Sequence, residues 1–256
     1  LKMYKTVVEA YKNNVIDEHY SNSLHNIHFK HDGVNLKVPK NMKKIFAKRV
    51  NAEQKFRIIT RLMIENNIID RNKNMIDLGA WIGDNSLIWS QMIDGQVYAI
   101  DPSEHNIDII ETLKTLNTID NIITIQKPIS NKKEFVTIKE GDINHASFEV
   151  SNNGIQTETL DNLYANDIIN NIGFMHLDVE GFEYKVVEGS QNIISIFKPI
   201  IVTESHKGDK DVEPLISKHG YNKYVIDEIC GGNKTCRNTY WIPKNIKLPE
   251  NILMFF

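Results

Sequence analysis

From Met75 onward, short apolar runs alternate with helix-compatible segments. Runs at 75–78, 96–100, 122–126, 173–179, 199–204, 221–227 and 238–242 have the length of strands, and 84–93, 103–117, 160–170, 181–196 and 209–219 read as helices. Alternation of this kind predicts a doubly wound α/β fold: a mostly parallel seven-stranded sheet with helices on both faces. The last two strands, separated only by a loop containing Gly231-Gly232, are close enough to pair antiparallel. Ahead of this core the pattern is different. Lys2 to Lys12 can form an amphipathic helix, and Asn26 to Val38 reads as a hairpin turning at Asp32-Gly33. Asn51-Ala52-Glu53-Gln54 reads as a capping box opening a helix that reaches about Glu65. The expected organisation is an N-terminal helical and hairpin extension, residues 1–70, packed on a core domain, residues 71–256.

The first strand ends in chemistry. In Asn74-Met75-Ile76-Asp77-Leu78-Gly79-Ala80-Trp81-Ile82-Gly83-Asp84 an apolar run meets an acid and then a loop with two glycines. Glycine there lets backbone approach a ligand closely, because it has no Cβ. The next strand, Gln96 to Ile100, ends in Asp101-Pro102, where a carboxylate can accept both hydroxyls of a ribose. Yet Gly79 and Gly83 stand four apart, so this is not the G-x-G-x-x-G that cradles a pyrophosphate, and no Lys-Ser/Thr pair follows as in a P-loop. A nucleoside grip without a phosphate grip suits S-adenosylmethionine, which has an adenosine and no phosphate.

Composition narrows the partners. A net charge of −3 over 256 residues argues against a general nucleic-acid binder. No apolar run is long enough to span a bilayer and no charged-then-apolar leader opens the sequence, so a cytoplasmic protein is expected. The two cysteines, Cys230 and Cys236, are expected to be reduced and are too few for a zinc site.

Ligands in an open parallel sheet bind beyond the carboxyl ends of the strands. Those ends, in order, are Asp77 to Asp84, Asp101-Pro102-Ser103, Lys127-Pro128-Ile129-Ser130, Asp178-Val179-Glu180-Gly181 and Glu204-Ser205-His206. Polar and acidic groups therefore collect on one rim. The cofactor set read from it is Asp77, Gly79, Ala80, Trp81, Gly83, Asp84, Asp101 and Pro102. Ser130 is added from the stretch Gln126–Ser130 which, with Gly141-Asp142, should face adenine.

These residues resemble the FkbM family of S-adenosylmethionine-dependent methyltransferases, of the class I Rossmann-like type. The resemblance runs from about Met75 to Glu204 and rests on four features: the Asp77–Asp84 loop, where the family has D-x-G-A-N-x-G; Asp101-Pro102; Thr159-Leu160-Asp161; and His176-Leu177-Asp178-Val179-Glu180-Gly181-Phe182-Glu183, where the family reads K-x-D-x-E-G-x-E. Trp81 replaces the family's asparagine and His176 its lysine. The resemblance implies O-methylation of a hydroxyl on a sugar, glycan or related small molecule. RNA or protein methylation is disfavoured by the acidic balance and by the lack of an N/D-P-P-Y-like motif. The two replacements keep open a non-catalytic, nucleoside-binding or scaffolding role.

Alcohol oxygens are poor nucleophiles until a base or metal takes up the proton's charge. Asp178, Glu180 and His206 are the expected catalytic residues. Asp178 and Glu180 lie two apart on one face of a strand end, where like charges repel unless a proton, cation or hydroxyl lies between them. The alternative is that Asp178 and Glu180, with Glu204, hold Mg²⁺. Glu183 sits where an acid complements the helix dipole. His145 is a weaker candidate, and His25, His28 and His31 alternate faces too much to share a metal.

Overall fold

The computed structural model describes residues 26–31, 34–42, 45–46, 53–140, 146–151, 153–205, 210–229 and 235–256. Several expected features lie outside these residues: the helix over 2–12, the Asp32-Gly33 turn, the Asn51 cap, Gly141-Asp142, His25, His145, His206, Cys230 and the Gly231-Gly232 loop. A hairpin, β1 (Asn26–His31) with β2 (Val34–Pro39), precedes helix α1 (Gln54–Glu65). The core then follows as β3 (Asn74–Leu78), α2 (Ser86–Trp89), β4 (Val97–Ile100), α3 (Glu104–Asn117) and β5 (Ile122–Ile125). Next come β6 (Phe135–Glu140), β7 (Ala146–Val150), β8 (Ile155–Gln156), α4 (Leu160–Ala165) and β9 (Ile172–Leu177). The chain closes with α5 (Glu183–Glu188), α6 (Gln191–Phe197), β10 (Ile200–Ser205), α7 (Glu213–Ser217), β11 (Tyr221–Ile229), β12 (Thr235–Pro243) and α8 (Glu250–Leu253).

Seven strands form the main sheet in the order β11-β12-β10-β9-β3-β4-β5. The pairs β10–β9, β9–β3, β3–β4 and β4–β5 are parallel, and β12 runs antiparallel to β10 and β11. All seven predicted strands are present. Alternation along them sends Met75, Phe174, Val202 and Tyr240 to one apolar layer and Ile76, Met175, Ile201 and Trp241 to the other. Helix α1 belongs to the first layer. Its Phe56, Ile59 and Met63 are fully buried, and the Tyr240 hydroxyl ties it down by donating to Phe56 O at 2.8 Å and lying 2.8 Å from Thr60 Oγ1.

Helices depart from expectation where tertiary partners cut them. The segment 181–196 is two helices, α5 and α6, not one. Asp161 accepts the N–H groups of Asn192 and Ile193 at 2.9 and 3.0 Å, so a side chain from another element caps α6. Gly189, at the break, packs so close to Ser130 O that a Cβ would lie 2.4 Å from it. Thr159 caps α4 through Asn162 N at 3.0 Å, which accounts for the Thr-Leu-Asp motif. A second, three-stranded sheet in the order β7-β6-β8 was not expected. Its β8 has two residues, and Phe135 and Ile155 are exposed, so it lacks the apolar alternation of a half-buried strand.

Candidate active site

The turn after β3 is built from backbone bonds to the next strand. Ile100 O accepts from Gly79 N at 2.9 Å and Ala80 N at 3.1 Å, and Gly83 N closes the turn on Ala80 O at 2.7 Å. Gly79 has φ +81°, and a Cβ there would lie 1.7 Å from Asp178 O. This loop and the one after β9 are thus in backbone contact, with Asp178 N bonded to Leu78 O at 3.0 Å. Trp81, at φ 47°, donates its N–H to Asp101 Oδ2 at 3.0 Å. Asp101 Oδ1 accepts from Ser103 N at 2.9 Å and Asn106 Nδ2 at 3.0 Å. The cap of α3 is Ser103, and Asp101 clasps the loop after β3 to it. With two donors on one oxygen and one on the other, the Asp101 carboxylate has one acceptor position left.

Asp77 lies side by side with His176 in the parallel β3–β9 pairing. Both are buried. One carboxylate oxygen accepts from Ser86 Oγ and the other lies 2.9 Å from His176 Nδ1. The imidazole stacks on Phe56 with ring centroids 4.8 Å apart and meets the edge of Trp89 at 5.6 Å. Burial works against the protonated ring, but the Asp77 bond, with the charges of Asp77, Asp178 and Glu53, raises its pKa on balance. Asp77 therefore faces inward, holding Ser86 and His176 in place beneath the loop.

Acids gather at the β9 and β10 ends. Asp178 and Glu204 share a hydrogen bond. Burial raises the pKa of Asp178 against that bond and the charge of His176, and burial with the Asp178 charge raises Glu204 to about 11. A hydrogen bond between two carboxyl groups needs a proton on one of them, and Glu204 is the one pushed up to about 11. Glu53 and Glu180 add negative charge to both. Glu180 and Gly181 have positive φ, 52° and 93°, and Glu183 holds this bend by accepting from Val179 N at 2.9 Å and Gly181 N at 3.0 Å. Glu183 is thus a brace for the loop. Arg57, buried on α1, reaches Glu53 at 3.9 Å and Asp84 at 4.0 Å.

The model of the Methyltransferase FkbM domain matches residues 77–223, more than half of the chain. The chain belongs to the FkbM methyltransferase family. Solved structures similar to this FkbM domain include an FkbM methyltransferase from Methylobacillus flagellatus KT, 20% identical over 66% of this chain with a TM-score of 0.47. The FkbM chain described here spans 44% of that structure's length. A precorrin-6y C5,15-methyltransferase from Geobacter metallireducens GS-15 is 12% identical over 66% of this chain and 81% of its own, with a TM-score of 0.45. Aeropyrum pernix fibrillarin, solved with natively bound S-adenosyl-L-methionine, is 10% identical over 67% of this chain and 66% of its own, with a TM-score of 0.43. No curated protein matches.

The residues present would fit S-adenosylmethionine as the methyl donor: a turn that excludes a Cβ, acids rather than a phosphate nest, and in Asp101 a carboxylate with room for one more donor. The family's asparagine position is left-handed here, a conformation asparagine tolerates and tryptophan adopts at about 1–2 kcal/mol. Packing of the Trp81 ring against the adjacent apolar layer offsets that cost. The structure brings Gly79, Ala80, Trp81 and Asp101 together, with half-buried Pro102 in the same turn, and sets Asp77 directly beneath. Ser130 is fully buried, and its Oγ bonds Glu134 at 3.1 Å and Asn131 at 3.3 Å. Among the described residues no group of three His, Cys, Asp or Glu side chains has the geometry to hold a metal. No helix among them is long and apolar enough to cross a membrane. Sequence reasoning missed Glu53 and Arg57. The available signal was a polar series, Glu53, Arg57 and Thr60, at helical spacing beside apolar Phe56 and Ile59.

An Asp101 that accepts a ribose hydroxyl would make binding of the donor sensitive to pH. Burial, partly offset by its three donors, pushes its carboxyl up to about 6. Since the folded value exceeds the ordinary one, ionising this group costs stability above about 6, and the cost is relieved as pH falls through 6 toward about 4. A ribose hydroxyl needs the ionised acceptor. Affinity for S-adenosylmethionine should therefore fall roughly tenfold from about pH 7 to about pH 5, while this group's contribution to stability rises. Calorimetric titration at the two pH values checks it, and a flat profile removes Asp101 from the ribose.

Proposed function

We propose that this domain methylates a hydroxyl oxygen of a sugar, glycan or related small molecule. The observation that carries the reading is the hydrogen-bonded pair of half-buried Asp178 and buried Glu204 at the strand ends, with Asp178 in backbone contact with the loop after β3 through Gly79. When bound, S-adenosylmethionine supplies a methyl group on a sulfonium, and the C–S bonding pair returns to sulfur as the new C–O bond forms. Asp178 is the ionised member of the pair and takes the hydroxyl proton. Glu204 keeps its own proton and donates it to Asp178, holding that carboxylate in place. Glu183 fixes the loop that carries Asp178, and Asp101 and the Gly79–Gly83 turn hold the donor against it. Mg²⁺ is not required by this scheme, because the carboxylates already share a proton.

Two measurements test the proposal. Calorimetry should show binding of S-adenosylmethionine and its demethylated product, with NAD and ATP far weaker. A turn with so few glycines does not admit a pyrophosphate. A glycan panel with labelled methyl donor should then give an O-methyl ether by linkage analysis. Comparable NAD binding, or a product methylated only on nitrogen, would overturn it.

A further inference from the structure

Helix α1 precedes the family-matched segment, yet its first turn reaches both halves of the site. Arg57 and Asp84 are each 3% exposed, and Glu53 is 4% exposed. The guanidinium of Arg57 lies within 4.0 Å of a carboxylate oxygen of each. Asp84 closes the cofactor loop and leads into Asn85-Ser86, and Ser86 holds Asp77. Glu53, held in a left-handed conformation at φ 49°, is close enough to raise the pKa of both Asp178 and Glu204. Arg57 is thus a permanent positive charge between the acid of the donor loop and an acid beside the proton-sharing pair. Removing it would take a cation from between two buried carboxylates, a loss a protein relieves by taking up protons or by moving the chain.

We propose that Arg57 is a positioning residue for methyl transfer: from outside the family domain it fixes Asp84, and with it the donor-binding loop, while balancing Glu53 beside the Asp178–Glu204 pair. This deepens the methyltransferase reading and rests on it. A role confined to packing α1 on the sheet belongs instead to Phe56, Ile59 and Met63, whose burial does not involve the loop.

A double-mutant cycle on the full chain tests the coupling. Arg57→Gln, Asp84→Asn and the double variant are titrated with S-adenosylmethionine, with fold checked by circular dichroism and thermal melting. Each single change should weaken affinity about tenfold. The double variant should be no weaker than Arg57→Gln alone, because the ion pair between the two is already lost in either single change. Arg57→Lys keeps the charge without the fork, so it should recover most of the affinity and leave kcat closer to wild type than Arg57→Gln does. Should Arg57→Gln fail to fold, Arg57→Ala takes its place in the cycle, with Asp84→Asn as the second single variant. Wild-type affinity in both overturns the proposal, as does multiplication of the two single effects in the double variant. If the wild type itself does not bind S-adenosylmethionine, the cofactor reading falls first and this inference with it.

Discussion

Gly79→Ala should lower the melting temperature by about 10 °C and abolish measurable binding of S-adenosylmethionine. Any Cβ at this position would stand 1.7 Å from Asp178 O, which is backbone and cannot rotate away. The loops after β3 and β9 would have to part, stretching the Asp178 N to Leu78 O and Gly79 N to Ile100 O bonds that register them. Overpacking of this kind costs about 1–3 kcal/mol and the left-handed conformation about 1–2 more. At roughly 2–4 °C per kcal/mol for a chain of this size, the combined shift is near 10 °C. Gly220→Ala is the control. It has the same φ of +81°, but nothing lies within 4 Å of its Cβ position, so only the conformational cost of about 1–2 kcal/mol applies. If the two variants melt together and Gly79→Ala still binds the donor, the close approach of the two loops is not what shapes the site.

That contact explains why part of the site could be read from sequence. Strands buried on both faces appear as continuous apolar runs, so their ends, and the residues placed there, are visible without a structure. Asp77, Gly79, Asp101 and Asp178 all terminate such runs. Their partners are less visible, because each contact joins residues far apart in the chain. Glu183 reads as an acid at a helix start, yet its carboxylate serves two N–H groups of its own loop. The break between α5 and α6 depends on Asp161, which lies on another helix, so local propensity runs straight through it. Arg57 and Asp84 meet only once α1 has docked. His176 shows the same limit: its position is recognisable in the motif, but its stack on Phe56 is a product of folding.

Asp178→Asn should reduce turnover by roughly 10²–10⁴ while leaving affinity for the methyl donor within a few-fold. Asparagine keeps the size and one acceptor but cannot take a proton from an attacking hydroxyl. The Glu204→Gln variant should behave differently. Glu204 is pushed up to about 11 by burial and by Asp178, so it serves as the protonated partner, and a glutamine N–H can donate in place of that proton. Its turnover should remain within about tenfold of wild type. The pH profile supplies a second reading. Burial, reinforced by the charges of Glu53 and Glu180, raises the pKa of Asp178 despite the Glu204 bond and the His176 charge. Activity should therefore climb with pH through a value above the ordinary carboxylate range, and that limb should vanish in Asp178→Asn. A larger loss in Glu204→Gln than in Asp178→Asn would exchange the two roles. Full activity in both would pass the proton to Glu180 or His206, because the chemistry still demands a base and those are the remaining expected acceptors at the strand ends.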